Sequence, residues 1–328
     1  MTETDRRRVA AWLLVCAALA FLIVVVGGIT RLTRSGLSIV EWQPLLGWIP
    51  PLSDADWQAL FAKYRETPEY RLVNFAMDLE GFKRIFWWEY VHRLLARLIG
   101  LVFLVPLLWF QVRGMLERTL AWKLWGVFAL GALQGALGWL MVASGLVDDP
   151  KVSPVRLSAH LGLALAIFSA ELWIALGLLA PRVASAGRLA AALPFVVFAM
   201  ALSGGMVAGL RAGLAYPTFP LMNGHLVPPE ILLLEPWWRN FVHNMATVQF
   251  VHRAFFWLLL VLIPLAWWQR RAHPEAKLLL AAFALQGSLG VATLLSGVQI
   301  GLSAAHQAGA VLLVGAALWN AHGASRAS

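Results

Sequence analysis

Four histidines fall within long apolar runs of this 328-residue chain: His92, His160, His252 and His306. An ionisable side chain in such a run is costly and tends to serve a function. Their spacing groups them as two pairs, His92 with His160 and His252 with His306. Imidazole is a good ligand for copper, zinc and iron. Two ligands are too few for a usual zinc site, but two opposed imidazoles in a four-helix bundle complete the axial set of a heme iron. Hydrogen bonding between helices is the other use of such residues; recurrence at matching places in both halves argues for a shared chemical task. The remaining histidines, His225, His243, His273 and His322, lie in loops or at the last helix end and are expected to be solvated or interfacial.

The run Trp88-Glu89-Tyr90-Val91-His92 has a counterpart in Val248-Gln249-Phe250-Val251-His252. Glu89 precedes His92 by three residues, so on a helix the two share a face. Gln249 holds the same place and cannot ionise. A carboxylate beside one pair and not the other predicts unequal tasks, with proton chemistry on the Glu89 side. A structural ion pair with Arg93 is the alternative use of that carboxylate. Arg93 and Arg253 follow the histidines in both halves, and Arg97 lies one turn beyond Arg93. Guanidinium groups suit carboxylates such as heme propionates, and they also snorkel to lipid headgroups. Arg31, Arg34 and Arg211 carry the same two readings.

Membrane helices must position these groups. The chain is 60% hydrophobic and 13% charged, against roughly 25% charged in a soluble domain. Eight stretches approach the length of about 20 apolar residues that a span requires: 9–28, 85–110, 120–143, 155–180, 189–209, 241–268, 276–296 and 300–321. Arg6, Arg7 and Arg8 precede the first run as in a signal peptide. That run is too long for one and lacks a convincing cleavage pattern, so a retained helix is expected. A single cysteine, Cys16, excludes an intrachain disulfide, a CxxC redox pair and a cysteine zinc site. No phosphate-binding glycine loop or Ser/His/Asp signature is present.

The net charge of +9 marks loops on one membrane face rather than nucleic-acid binding. Arg113, Arg118, Lys123, Arg182, Arg188, Arg270, Arg271, Lys277 and Arg326, with the first arginines, occupy candidate inner segments. The two short outer loops hold only Lys151 and Arg156. Both termini are therefore expected in the cytoplasm, the paired histidines toward the outer leaflet, and the long loops 30–84 and 210–240 outside.

The halves repeat. Gly27-Gly28 with Arg34-Ser35-Gly36-Leu37 matches Gly204-Gly205 with Arg211-Ala212-Gly213-Leu214, and Leu133-Gln134-Gly135 matches Leu285-Gln286-Gly287. Each unit, 1–183 and 184–328, has four helices, so both insert in the same direction. The expected fold is an all-α integral membrane protein, two parallel four-helix bundles related by a pseudo-twofold axis along the membrane normal. Gly131, Gly135 and Gly138 are expected to permit close helix packing.

The run Ile29-Thr30-Arg31-Leu32-Thr33-Arg34-Ser35-Gly36-Leu37-Ser38, then Trp42-Gln43-Pro44 and Gly47-Trp48-Ile49-Pro50-Pro51, resembles the first outer loop of the heme A synthase family, in the branch shared by proteobacteria and mitochondria. The Glu89-x-x-His92 and Gln249-x-x-His252 segments and the two later histidines fit the same family, and the resemblance covers nearly the whole chain. It implies oxidation of the C8 methyl of heme O to a formyl group, with oxygen from water, to make heme A for terminal oxidases. It assigns His252 and His306 to a resident heme b, His92 and His160 to the substrate heme, and Glu89 to the essential carboxylate. It further implies an inner-membrane location, a lipid-accessible groove for the farnesyl tail, an external electron acceptor, and heme O synthase and oxidase assembly factors as partners. Other members carry a cysteine pair in an outer loop; this chain has none there, so a mechanism using that pair does not apply. A di-heme b-type cytochrome would instead have two equivalent, permanently occupied sites, which the Glu89/Gln249 difference opposes. A heme transporter is favoured only by the parallel repeat.

Overall fold

The computed structural model describes residues 1–43, 47–147, 150–180 and 187–323. Pro44, Arg182 and Arg326 lie outside the described residues. Twelve α-helices follow in chain order: α1 (Glu3–Leu32), α2 (Asp54–Arg65), α3 (Pro68–Leu72), α4 (Leu79–Val112), α5 (Arg118–Ala143), α6 (Pro154–Leu179), α7 (Arg188–Leu210), α8 (Ala212–Ala215), α9 (Asn240–His243), α10 (Met245–Gln269), α11 (Pro274–Leu295) and α12 (Ile300–Gly323). Eight of them, α1, α4, α5, α6, α7, α10, α11 and α12, are long and apolar enough to cross a membrane. The chain is a multi-pass, all-helical membrane protein, as its apolar runs predict.

One expected span is divided. The apolar pattern runs back to Phe241, but residues 240–243 form the separate turn α9. Asn244 then caps α10, its side chain accepting from the backbone N–H of Ala246 and Thr247. A side chain that satisfies otherwise orphaned helix N–H groups sets the start of a helix more sharply than hydropathy does.

In the first half, α1 packs on α4 and α6, and α5 packs on α6 and more thinly on α4. In the second half, α7 packs on α10 and α12, and α11 on α12 and α10. The halves meet through α6 against α7 and α12, and α1 against α12. Leu165, Phe168, Leu193, Val197, Leu259, Ile263, Val311 and Val314 form the central core at this seam. Just beyond α1 and α7, Arg34 and Arg211 both hold φ at +54°. This left-handed turn costs a non-glycine residue roughly 1–2 kcal/mol, and it occurs at the same place in both matched sequences.

The long segments between α1 and α4 and between α7 and α10 form caps. In the first, Ser53 closes a capping box with Asp56 at the start of α2. Trp57 and Tyr64 then pack with Phe82, Phe86 and Tyr90 in a small aromatic core that binds α2 to the N-terminal part of α4. The second cap, between α7 and α10, turns on buried Asn240, whose amide donates to the carbonyls of Leu234 at 2.7 Å and Trp237 at 2.8 Å.

Candidate heme sites

Each paired histidine presses into a glycine notch on a neighbouring helix. A Cβ on Gly27 of α1 would lie 2.8 Å from Cε1 of His92 on α4, and one on Gly138 of α5 would lie 2.9 Å from Cε1 of His160 on α6. The second half repeats this: Gly204 of α7 faces His252 of α10 at 3.2 Å, and Gly290 of α11 faces His306 of α12 at 2.9 Å. His92 and His160 are electrostatic neighbours, as are His252 and His306.

The second pair has resolved geometry. Its ring centroids are 6.5 Å apart and its planes cross at 88°. Two imidazoles holding one ion at a metal–nitrogen distance of about 2.0 Å would place their centroids roughly 6 Å apart. Ser203 Oγ donates to Met200 O at 2.7 Å and lies 2.8 Å from His252 Nδ1. The hydroxyl proton is thus committed to the carbonyl, and the hydroxyl oxygen accepts from Nδ1–H. That assignment leaves the His252 Nε2 lone pair for a metal.

The Nδ1 atoms of His92, His160 and His306 are covered without a hydrogen bond. Among the described residues, no three His, Cys, Asp or Glu side chains gather as a metal site. A paired-imidazole donor set therefore fits an iron whose equatorial nitrogens come from a porphyrin.

Glu89 is 3% exposed and lies under the first cap. Its Oε2 accepts from Ser38 N at 2.7 Å, Ser38 Oγ at 2.7 Å and Ile39 N at 2.9 Å. Its Oε1 accepts from Arg93 Nε at 3.0 Å and Nη2 at 2.5 Å. Arg93 also donates to the carbonyls of Ile39 and Glu41, both at 2.7 Å. Arg97 donates to Gln43 O at 2.6 Å, and Tyr90 to Trp48 O at 2.6 Å. The Arg93 ion pair foreseen as an alternative is thus present, together with three donors from the cap. In the same cap, Glu69 is 5% exposed. Burial, and secondly the charge of Glu89, push its carboxyl up to about 7.

The matching place in the second half is wired differently. Gln249 Nε2 donates to Tyr216 O at 3.1 Å. Arg253 donates to four cap carbonyls: Pro220 and Leu221 at 3.2 Å, Tyr216 at 3.1 Å and Thr218 at 2.8 Å. Both repeated arginines therefore anchor their own caps.

Arg31 donates to the Ala208 carbonyl and so ties α1 to α7. His225 and His243 are exposed and His273 half-buried, but His322 is 0% exposed. The expectation that His322 is solvated is corrected because α12 continues to Gly323 and the ring packs edge-on against Trp173 of α6 at 5.4 Å. Of the glycines expected to permit close packing on α5, only Gly138 does; a Cβ on Gly131 or Gly135 would meet nothing within 4 Å. Ser203 carried no signal of its own. Ser38 and the notch glycines Gly27 and Gly204 stood within matched or family-like runs without a role.

The chain matches the profile of the cytochrome oxidase assembly protein family over residues 10–318. It is similar to heme A synthase of Nitrosospira multiformis, at 56% identity over 97% of this chain and 93% of that one. It is 52% identical to heme A synthase of Nitrosomonas eutropha, over 95% and 92% of the two chains. With heme A synthase of Parvibaculum lavamentivorans it shares 47% identity over 98% and 95%.

Proposed function

Since this chain belongs to the cytochrome oxidase assembly protein family, we propose that it is a heme A synthase, a membrane oxidoreductase that converts the C8 methyl of heme O to a formyl group. The change from methyl plus one water to formyl releases four protons and four electrons. It proceeds as two two-electron oxidations through a hydroxymethyl group, and the electrons pass to an external acceptor. His92 and His160, in the N-terminal repeat 1–183, hold the substrate heme. His252 and His306, in the C-terminal repeat 184–328, hold a resident heme b, which supplies one-electron redox chemistry when bound. The two repeats are related by a pseudo-twofold axis along the membrane normal.

One observation carries the assignment of tasks: two like histidine pairs have unlike neighbours, a carboxylate in one half and an amide in the other. Glu89 handles protons, with Ser38 Oγ as its hydrogen-bonded contact and Arg93 orienting it. The positive inner loops support an inner-membrane orientation with both termini cytoplasmic. Heme O synthase and oxidase assembly factors are the expected neighbours of such an enzyme.

Cofactor extraction tests this reading. Chromatography of pigments from the purified protein is expected to give heme b together with heme O or heme A. His252→Ala or His306→Ala should remove heme b. Heme b alone in the unaltered protein would support an electron-transfer cytochrome, and normal low-spin heme in both variants would overturn the ligand assignment.

A further inference from the structure

The face that carries each histidine site differs one turn further inward. Ala96 lies four residues after His92, and Phe256 lies four residues after His252. This offset keeps each on its histidine's face, about 6 Å along the axis. On the partner helix, Gly131 lies seven residues before Gly138, and Phe283 lies seven before Gly290, so each stays on the notch face.

In the second half the two rings meet. Phe256 and Phe283 have centroids 5.8 Å apart and planes 26° apart, and Phe219 of the cap meets Phe256 at 6.1 Å. A Cβ on Gly287 would lie 2.9 Å from Phe256 Cε2, so the ring fills the seam between α10 and α11. Phe283 is 4% exposed. In the first half the corresponding residues are small and open. Ala96, Gly131 and Gly135 are all exposed, and neither glycine has a side-chain neighbour at the Cβ position. The contact between α4 and α5 is somewhat thinner than that between α10 and α11.

We infer that Phe256 and Phe283 form an aromatic seal that retains the porphyrin at His252 and His306, and that Ala96 and Gly131 leave the matching seam of the first half open for exchange of a porphyrin with its isoprenoid tail. This rests on the proposed function. Loss from the second site requires separation of two packed rings and exposure of their contact. Loss from the first requires no such rearrangement. The same fold thus supplies one lasting site and one exchanging site, as an enzyme that releases a porphyrin product needs.

Heme transfer tests the seal. The full chain in detergent is loaded with heme b and mixed with excess heme-scavenging apoprotein, and transfer is followed optically. Two phases are expected, and the slow one should be absent in His306→Ala. Phe256→Ala should speed the slow phase about tenfold or more, since most affinity changes appear in dissociation. Phe256→Ala with Phe283→Gly should speed it further. Ala96→Phe with Gly131→Phe should slow or abolish the fast phase and leave the slow one intact.

An unchanged slow phase in both opening variants overturns the seal. So does a closing variant that changes only the oligomeric size, because the open face would then be a contact between copies. Failure of the unaltered chain to take up heme at either pair would instead sink the proposed function itself.

Discussion

The caps over the two halves perform the same mechanical task with different electrostatics: an arginine paired with a carboxylate in the first, an arginine beside a neutral amide in the second. Over the second half, Arg253 reaches four cap carbonyls directly and Gln249 adds one more bond to the Tyr216 carbonyl. Over the first half, Arg93 reaches only two cap carbonyls, and its remaining contacts go to Glu89. Glu89 in turn accepts from Ser38 and Ile39. The second cap is fastened to its helix without a carboxylate, by Arg253 and Gln249. A carboxylate is thus not needed at this position in every repeat, which agrees with the proton-handling role proposed for Glu89.

Glu89→Gln erases this difference and should have the largest effect. General acid–base groups contribute about 10²–10⁴-fold in rate. The variant is expected to fold, to keep heme at His252 and His306, and to accumulate heme O or its hydroxymethyl form in place of heme A. Normal heme A per folded molecule would reduce Glu89 to a strut.

Arg253→Ala addresses the other side. It removes one donor from each of four cap carbonyls; Tyr216 O keeps Gln249 and Leu221 O keeps the Thr218 hydroxyl, so the loss falls on Pro220 and Thr218. Bonds to charged donors are individually strong but not additive, so a loss of about 2–4 kcal/mol is expected. Thermal unfolding in detergent measures it, and proteolysis should find the 216–221 segment opened while the first cap stays protected. Equal opening of both caps would contradict their independence.

The smallest effect concerns pH. The Glu69 carboxyl is raised from 4.5 to about 7, by burial first and by Glu89 second; the hydrogen bond that Tyr64 OH donates to the carboxyl opposes the rise, as do Arg34 and Arg211. A raised carboxyl favours the protonated folded state. Its contribution is complete below about 4.5 and is lost as pH rises through about 7. Protease cutting within α2 and α3 should therefore increase between pH 5 and pH 8, and Glu69→Gln should flatten the profile. A flat profile in the unaltered protein would remove Glu69 as the cause.

The membrane helices were readable in the sequence because a span must be long and apolar, and such a run leaves few alternatives. The histidine pairing was readable because a polar residue in that setting is rare enough to stand out. Closure of the first cap was not. Ser38 reaches Glu89 across 51 positions, a contact that depends on how the intervening loop returns. The arginines at 93 and 253 show a related limit: their positions were plain, but a guanidinium accepts carbonyls, carboxylates or headgroups equally well as partners. His322 looked solvated or interfacial from its place near a helix end, but it is buried and packs against Trp173 of α6.

The glycine notches behind the four rings have a consequence for affinity. Fixing a mobile side chain on binding costs roughly 0.5–1.5 kcal/mol. Here a glycine of one neighbouring helix passes so near each imidazole that its freedom is already curtailed by helix spacing. Under the proposed ligation, the rings would be held by helix spacing before the iron arrives, and little ordering would remain to oppose capture. A methyl group at Gly290 would intrude 2.9 Å from the His306 ring, so the absence of a side chain there is what gives the ring its seat.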